Sequence, residues 1–317
     1  MPSSDRSDAF VTGISVNGGD ETALLDGIFR AGLSQTRVRT LPSFLVLGPP
    51  RTGTTWLHDL LYSRVLLPKF TKETRFFDLH FDRGLNWYLD HFPLNHEQSI
   101  VGEIAPTYFA SPQACARICT VLPNAKLVII FRNPVQRLVS LYRLKRAYGL
   151  HAWDFDAALE RDPELLASSR YATHLRMWQS CFAPEQLSIN FFEDLLADPQ
   201  AFIDRICAFV GIAPFALNET QLREVFSTAK MTEPRVYAAT RAAQSVAAWC
   251  RARAFDRVIH HVKNSRAFHL LVGGGSPFPA IPSESLEKVH AQLLQETEEL
   301  EMMVGRDLTS WKTPPAA

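Results

Sequence analysis

Two short stretches carry residue types and spacings suited to chemistry on anions. Gly48-Pro49-Pro50-Arg51-Thr52-Gly53-Thr54-Thr55 has the spacing G-x-x-x-x-G, in which backbone N–H groups and a helix N-terminus surround phosphate oxygens. The residue after the second glycine is Thr54, where a nucleoside triphosphatase needs lysine, and the cation of the loop is Arg51. The second stretch, Arg132-Asn133-Pro134, follows the strongest apolar run of the chain, Lys126-Leu127-Val128-Ile129-Ile130-Phe131. A magnesium-dependent phosphotransferase carries an acid at the end of such a strand. An arginine there repels a metal ion and attracts a further phosphate. Arg51 and Arg132 together argue against Mg-ATP chemistry. They suit a nucleotide with an extra phosphate off its main phosphate chain, and a transfer that requires no metal.

These side chains need a scaffold. Phe44-Leu45-Val46-Leu47 is a short apolar run ending in Gly48-Pro49-Pro50, as a buried strand entering a loop does. The pattern predicts a helix over 54–67, with Trp56, Leu57, Leu60 and Leu61 on one stripe, a strand over 99–102, and a helix over 112–122 with Pro112 in its first turn. The apolar run 126–131 predicts a strand buried on both faces, as in a parallel sheet. A helix over 134–148 follows, then helix, strand and helix over 171–182, 187–191 and 199–210. Such alternation implies an α/β fold, a P-loop-type parallel sheet flanked by helices. The last third reads as mostly helical: 239–272, a Gly/Pro-rich loop around Gly273 to Pro282, and an acidic amphipathic helix over 283–304 that Gly305 is placed to end.

Composition bounds the partners. Across 317 residues, 33 Lys and Arg balance 33 Asp and Glu, which disfavours a general polyanion binder and any nucleic-acid partner while leaving room for a local basic cleft. An apolar content of 46% with 21% charged residues excludes a disordered chain. Length alone allows two domains or one large α/β domain. The five cysteines are odd in number and form no C-x-x-C pair, so neither a zinc ribbon nor a disulfide framework is expected; Cys115 and Cys119 read as thiols on one helix face. The first twenty residues hold no apolar core of signal length, and no run approaches the ~20 apolar residues of a membrane span. The expectation is a cytoplasmic protein with no membrane anchor.

The two anion motifs, in this order, resemble the sulfotransferases that use 3′-phosphoadenosine-5′-phosphosulfate (PAPS). In that family a P-K/R-x-G-T-T-x loop holds the 5′-phosphosulfate, and R-N-P-x-x-R-x-x-S-x-Y holds the 3′-phosphate; here they are Pro50 to Trp56 and Arg132 to Tyr142. Lys72-Glu73-Thr74-Arg75-Phe76-Phe77-Asp78, Gly84-Leu85-Asn86-Trp87-Tyr88 and Glu103-Ile104-Ala105-Pro106-Thr107-Tyr108-Phe109 are similar to blocks of the heparan sulfate sulfotransferases. The likeness runs from about residue 41 to 200 and fades in the last third.

The resemblance implies a set of roles. Arg51, Thr52, Gly53, Thr54 and Thr55 would hold the 5′-phosphosulfate, with Arg51 stabilising the charge that builds on the bridging oxygen. Arg132 and Ser140 would bind the 3′-phosphate. Trp56 would either stack on adenine or pack in the core, and Phe226 is a further candidate against adenine. Glu73 aligns with the base of the heparan-type enzymes, with Phe76 and Phe77 drying its surroundings. Lys72 would contact the transferring sulfuryl group or stay solvated. Two positions depart from the family: Ile104 stands where cytosolic members carry a His base and heparan-type members a Lys, and Phe192 stands where cytosolic members carry a Tyr.

The reading implied is a PAPS-dependent sulfotransferase acting on a hydroxyl or amine of a carbohydrate or small-molecule acceptor, with PAP as product and no metal. The alternatives are a PAP-binding member without catalysis and a P-loop kinase. Residues 1–20 would be a flexible tail and 21–317 one domain, its nucleotide-binding core at about 41–212 and a helical acceptor-side region at about 213–317. The basic stretch Arg251, Arg253, Arg257, Lys263 and Arg266 reads as a solvated helix face or as a rim for an anion.

Overall fold

The computed structural model describes residues 40–93, 99–226, 232–235, 237, 240–242 and 275–314. Among these, β1 (Phe44–Val46), β2 (Gly102–Ile104), β3 (Lys126–Phe131) and β4 (Leu187–Phe191) form one parallel sheet in the order β2-β1-β3-β4. The connecting and flanking helices are α1 (Thr54–Leu61), α2 (Gly84–Leu89), α3 (Pro112–Val121), α4 (Pro134–Ala147), α5 (Phe155–Arg161), α6 (Glu164–Ala167), α7 (Tyr171–Gln179), α8 (Phe192–Ala197), α9 (Pro199–Val210) and α10 (Glu219–Phe226), followed near the C-terminus by α11 (Ser283–Val304). No helix among the described residues is long and apolar enough to cross a membrane.

Alternation along the strands builds two cores. Leu45, Leu127, Ile129 and Phe131 point into one with Tyr108, Phe109, Tyr171 and Trp178, while Phe44, Val46, Val128 and Ile130 point into the other with α1 and α9. The central strands thus bury both faces, as their unbroken apolar runs require. The Trp178 indole, wholly buried in the first core, donates its N–H to the Phe109 carbonyl at 2.9 Å. Helix α11 adds Leu286, Val289 and Leu293 to a third cluster with Val135, Leu138 and Leu141 of α4. It ends at Gly305, whose φ of 62° is the left-handed cap expected there.

Two expected elements are corrected. Helix α1 stops at Leu61 rather than 67, because Leu66 is taken into the sheet edge as a parallel bridge to Val101. The neighbouring strand lies at 102–104 rather than 99–102, with Gly102 opposite Phe44. A Cβ on Gly102 would lie 2.1 Å from the Phe44 ring, so only glycine lets that phenyl ring lie across β2. The other expected strands and helices match the observed ends to within a few residues. The N-terminal tail, nearly all of the 239–272 helical stretch and the basic residues 251–266 lie outside the described residues.

The chain steps from β1 to β2 on one side and then crosses to β3 on the other, so the direction of winding reverses between β1 and β3. In open parallel sheets, ligands bind at the carboxyl ends of strands at such a point. Gly102→Ala is expected to overpack the Phe44 ring and destabilise by about 1–3 kcal/mol, read as a lower urea midpoint at unchanged m value. A midpoint equal to wild type would refute this account of the register.

Candidate functional site

The loop after β1 is shaped by close approach and by turns that bulky side chains resist. A Cβ on Gly48 would lie 2.8 Å from the Ile130 backbone N, so the strand exit lies directly against β3. Thr52, fully buried, donates its hydroxyl to the Pro49 carbonyl at 2.9 Å and closes the loop on itself. Arg51 and Gly53 both have positive φ, 79° and 89°. At Arg51 this is a strained backbone at the cation of the loop, a state that persists only where the surroundings over-determine it. Gly53 is the N-cap of α1 and offers no side chain to its N–H groups, and the first turn holds no acid. Those N–H donors and the positive end of the helix are therefore available to an anion.

Three arginines converge beside the loop. The Arg51 Nε donates to Ser140 Oγ of α4 at 3.0 Å. Arg132, at the end of β3, donates to the Arg51 carbonyl at 3.3 Å and lies over the Phe192 ring at 4.7 Å, leaving its Nε buried without a partner. Among the described residues neither Arg51 nor Arg132 is in an ion pair. Burial pulls the Arg51 guanidinium below its ordinary value, and the charge of Arg132 pulls it further. Arg132 is lowered by burial as well, against the pull of Tyr171 and Glu193. Because arginine stays charged regardless, these are two desolvated like charges in want of an anion. Beneath them Arg137, fully buried, donates to the Leu165 carbonyl at 2.8 Å, to Ser169 Oγ, and more weakly to the Pro50 carbonyl at 3.5 Å, tying the loop to α6.

The opposite wall comes from residues 72–78. Lys72 Nζ donates to Thr55 Oγ1 at 3.1 Å and Thr54 Oγ1 at 3.4 Å, and sits 3.8 Å from Glu73 Oε1. Both side chains are about a quarter exposed, 26% and 25%. Burial raises the Glu73 carboxyl above the ordinary range, opposed by Lys72 and Arg75; burial lowers Lys72, opposed by Glu73. Phe76 and Phe77 are wholly buried beside this segment.

Behind it lies Glu103 of β2, with no solvent exposure. Its Oε1 accepts from the Thr74 N–H and Thr74 hydroxyl, each at 2.7 Å, and its Oε2 from the Tyr88 hydroxyl at 2.9 Å; the Tyr108 hydroxyl lies 3.3 Å from both oxygens. Burial moves this carboxyl up to about 7 against the pull of those donors.

The structure brings together Arg51, Thr52, Gly53, Thr54, Thr55, Ser140 and Arg132, and on the facing wall Lys72 and Glu73. It holds Trp56 in the core: the ring is 9% exposed, packs near Phe202 at 6.5 Å between centroids, and donates its N–H to the Gln221 carbonyl at 3.0 Å. Ile104 belongs to the same core, and the Phe226 side chain lies outside the described residues. Arg137 and Glu103 stand inside the sequence blocks but carry no role that the sequence alone assigns. Their signal was present, a charge set in an otherwise apolar strand or helix face, but their partners are distant in the chain. No group of three or more His, Cys, Asp or Glu among the described residues is arranged to hold a metal ion.

Residues 41–255 match the model of the Sulfotransferase domain family. A stretch of 204 residues, 57% of this chain, is 33% identical to the Bos taurus bifunctional heparan sulfate N-deacetylase/N-sulfotransferase 2 and covers 23% of that protein. The Homo sapiens bifunctional heparan sulfate N-deacetylase/N-sulfotransferase 3 is 33% identical over 197 residues, 55% of this chain and 23% of the relative. The chain thus spans under a quarter of the length of these curated relatives. The fold superposes on the crystal structure of a sulfotransferase from Alicyclobacillus acidocaldarius with a TM-score of 0.62 at 19% identity, covering 86% of this chain and 100% of that one.

The unpaired arginines make a sharp prediction. PAP at 100 times its dissociation constant is expected to add about 2.7 kcal/mol and raise the melting temperature by several degrees. Arg132→Ala is expected to remove most of that shift while leaving the ligand-free melting temperature near wild type. A shift with Mg-ATP and none with PAP would contradict the assignment of these cations.

Proposed function

Because this chain belongs to the sulfotransferase domain family, we propose that it moves a sulfuryl group from PAPS, its donor substrate, to a hydroxyl or amine of a carbohydrate or small-molecule acceptor. The observation that carries the reading is the pair of desolvated, unpaired arginines at the β1 and β3 ends facing Lys72 and Glu73 across the Thr54 and Thr55 hydroxyls. A nucleotide with phosphate at both the 3′ and 5′ positions supplies two anions for two cations. The orphaned Arg132 Nε and the uncapped N-terminus of α1 fit those anions.

The chemistry asks three things of the chain. The first is to bind the donor, through Arg132 and Ser140 at one phosphate and the loop 51–55 at the other. The second is to offset negative charge on the oxygen that bridges phosphorus and sulfur, as the bond from that oxygen to sulfur breaks and its electron pair stays with the phosphate. Arg51 and Lys72 are the available cations, and preorganised charges of this kind act strongly in a site shielded from water. The third is to take the acceptor's proton as its oxygen or nitrogen bonds to sulfur. Glu73 is the assigned base, held beside Lys72 and made more basic than an ordinary carboxylate by burial. Two of the relatives are named for N-sulfation of heparan sulfate, which supports a sugar amine or hydroxyl as acceptor.

Transfer of ³⁵S from labelled PAPS to a panel of amino sugars, neutral saccharides and small alcohols tests the reaction. Retained PAP binding with no transfer to any acceptor would favour the non-catalytic alternative. On an acceptor that is turned over, Glu73→Gln is expected to lower kcat by about 10²–10⁴-fold with the PAP-induced melting shift unchanged. The base works only when ionised, and burial raises its pKa. The rate should therefore fall as the pH drops, at a pH above the ~4.3 of a free glutamate, and Glu73→Gln should lack that limb. Wild-type kcat in Glu73→Gln would remove the assignment.

A further inference from the structure

We infer that Glu103 is a positioning residue for sulfuryl transfer: by binding both polar atoms of Thr74 it fixes the backbone that carries Glu73, and so aims the base at the donor loop. The inference rests on Glu73 being that base.

Three observations lead there. The first is the cost of the group itself. A carboxylate wholly inside a sheet is expensive to desolvate, and an apolar residue of similar volume at such a site often leaves a protein equally or more stable. Among the described residues no cation is paired with Glu103, so its compensation comes from the hydrogen bonds of Thr74, Tyr88 and Tyr108. The two shortest of these, both 2.7 Å, go to the residue next to Glu73.

The second is how completely Thr74 is held. Its N–H and hydroxyl both reach Glu103 Oε1, its Oγ1 accepts from the Phe76 N–H at 3.2 Å, and the Tyr108 hydroxyl lies 3.2 Å from that same oxygen. The chain then passes through Arg75 at φ 57°, one of two non-glycine residues with positive φ among those described. The other is Arg51, in the facing donor loop. Strained backbone of this sort needs a surrounding that leaves no alternative, and the Glu103 anchor supplies it on this wall. On the other side of Glu73, the Thr71 hydroxyl donates to the Glu73 carbonyl at 2.9 Å, so the base sits between two fixed points.

The third separates positioning from direct chemistry. Both Glu103 oxygens are engaged and the residue has no exposure, which leaves it no route to an acceptor. Glu73, a quarter exposed and in contact with Lys72, has one. The two carboxyls nevertheless sense each other, since the charge of Glu73 helps to raise Glu103. A rigid attachment matters because a displacement of about 1 Å at a reacting group can cost on the order of 10²-fold in rate.

The test compares Glu103→Gln, Thr74→Val and Thr74→Ser with Glu73→Gln, reading kcat, KM for PAPS and the PAP-induced melting shift. Glu103→Gln keeps the shape and removes the charge, and Thr74→Val keeps the N–H and removes the hydroxyl. Each is expected to lower kcat at least tenfold, with KM for PAPS and the PAP shift within twofold of wild type, and Thr74→Ser is expected to restore most of the loss. A role confined to stability would lower the melting temperature and leave the kcat of the folded enzyme alone. Wild-type kcat in both Glu103→Gln and Thr74→Val, with Glu73→Gln inactive, overturns this inference and spares the base. Wild-type kcat in Glu73→Gln overturns the base assignment and this inference with it. Should Glu103→Gln fail to fold, the Thr74 pair decides the matter by itself.

Discussion

Two like charges, Arg51 and Arg132, held close together and in no ion pair among the described residues, set the terms for this molecule. Arg51 leaves β1 and Arg132 leaves β3, and the parallel pairing of Val46 with Val128 brings those two exits side by side. Loss of water around the guanidiniums opposes folding and lowers the proton affinity of both, and at Arg51 the charge of Arg132 adds to it. The two cores on either side of the sheet provide the compensating stability. With Leu45, Leu127 and Ile129 buried on one face and Phe44, Val128 and Ile130 on the other, β1 and β3 cannot separate to relieve the repulsion. An anion can relieve it, and the site is thereby prepared for one before it arrives.

The opposing wall obeys the same logic with the sign reversed. Glu73 and Glu103 both lie where burial raises a carboxyl, yet their surroundings suit them to different work. Glu73 is partly exposed and answers to Lys72, an arrangement that keeps a carboxylate ionised and within reach of an acceptor. Glu103 is enclosed and answers to hydroxyls and one backbone N–H, an arrangement that fixes geometry. Two carboxylates separated by one strand-to-loop distance are thus divided by environment alone, as acid and base pairs in enzyme sites commonly are.

The contiguous parts of the site were legible in the sequence. The glycine spacing of the 48–55 loop and the block beginning at Arg132 are contiguous in the chain, where local rules for loops and helix starts apply, and β3 and α9 were marked at both ends by turn residues. What escaped was long-range. Gly102 looks like the end of a strand until Phe44 is known to lie across it. Leu66 fits the α1 stripe until Val101 claims it for a bridge. Trp56 was open between an adenine platform and the core, and the Gln221 carbonyl that accepts its N–H lies far along the chain. Arg137 and Glu103 find their partners in segments that no local pattern connects.

The choice of arginine at position 51 bears on how the leaving group is handled. Arginine does not give up its proton at any relevant pH, so in the proposed reaction it would stabilise the bridging oxygen by charge and by hydrogen bonds and never as a general acid. That suffices when the departing group is a phosphate, an oxyanion stable in water without protonation. With Glu73 as the proposed base, the proton traffic of the reaction would then run one way, from acceptor to Glu73. Lys72 could in principle donate, since burial lowers it, but its hydrogen bonds to Thr54 and Thr55 and its contact with Glu73 favour the charged form. On that reading a fixed cation would serve the leaving oxygen and a raised carboxylate the acceptor, and the stiffness with which Glu73 is held through Thr74 and Glu103 would bear directly on rate.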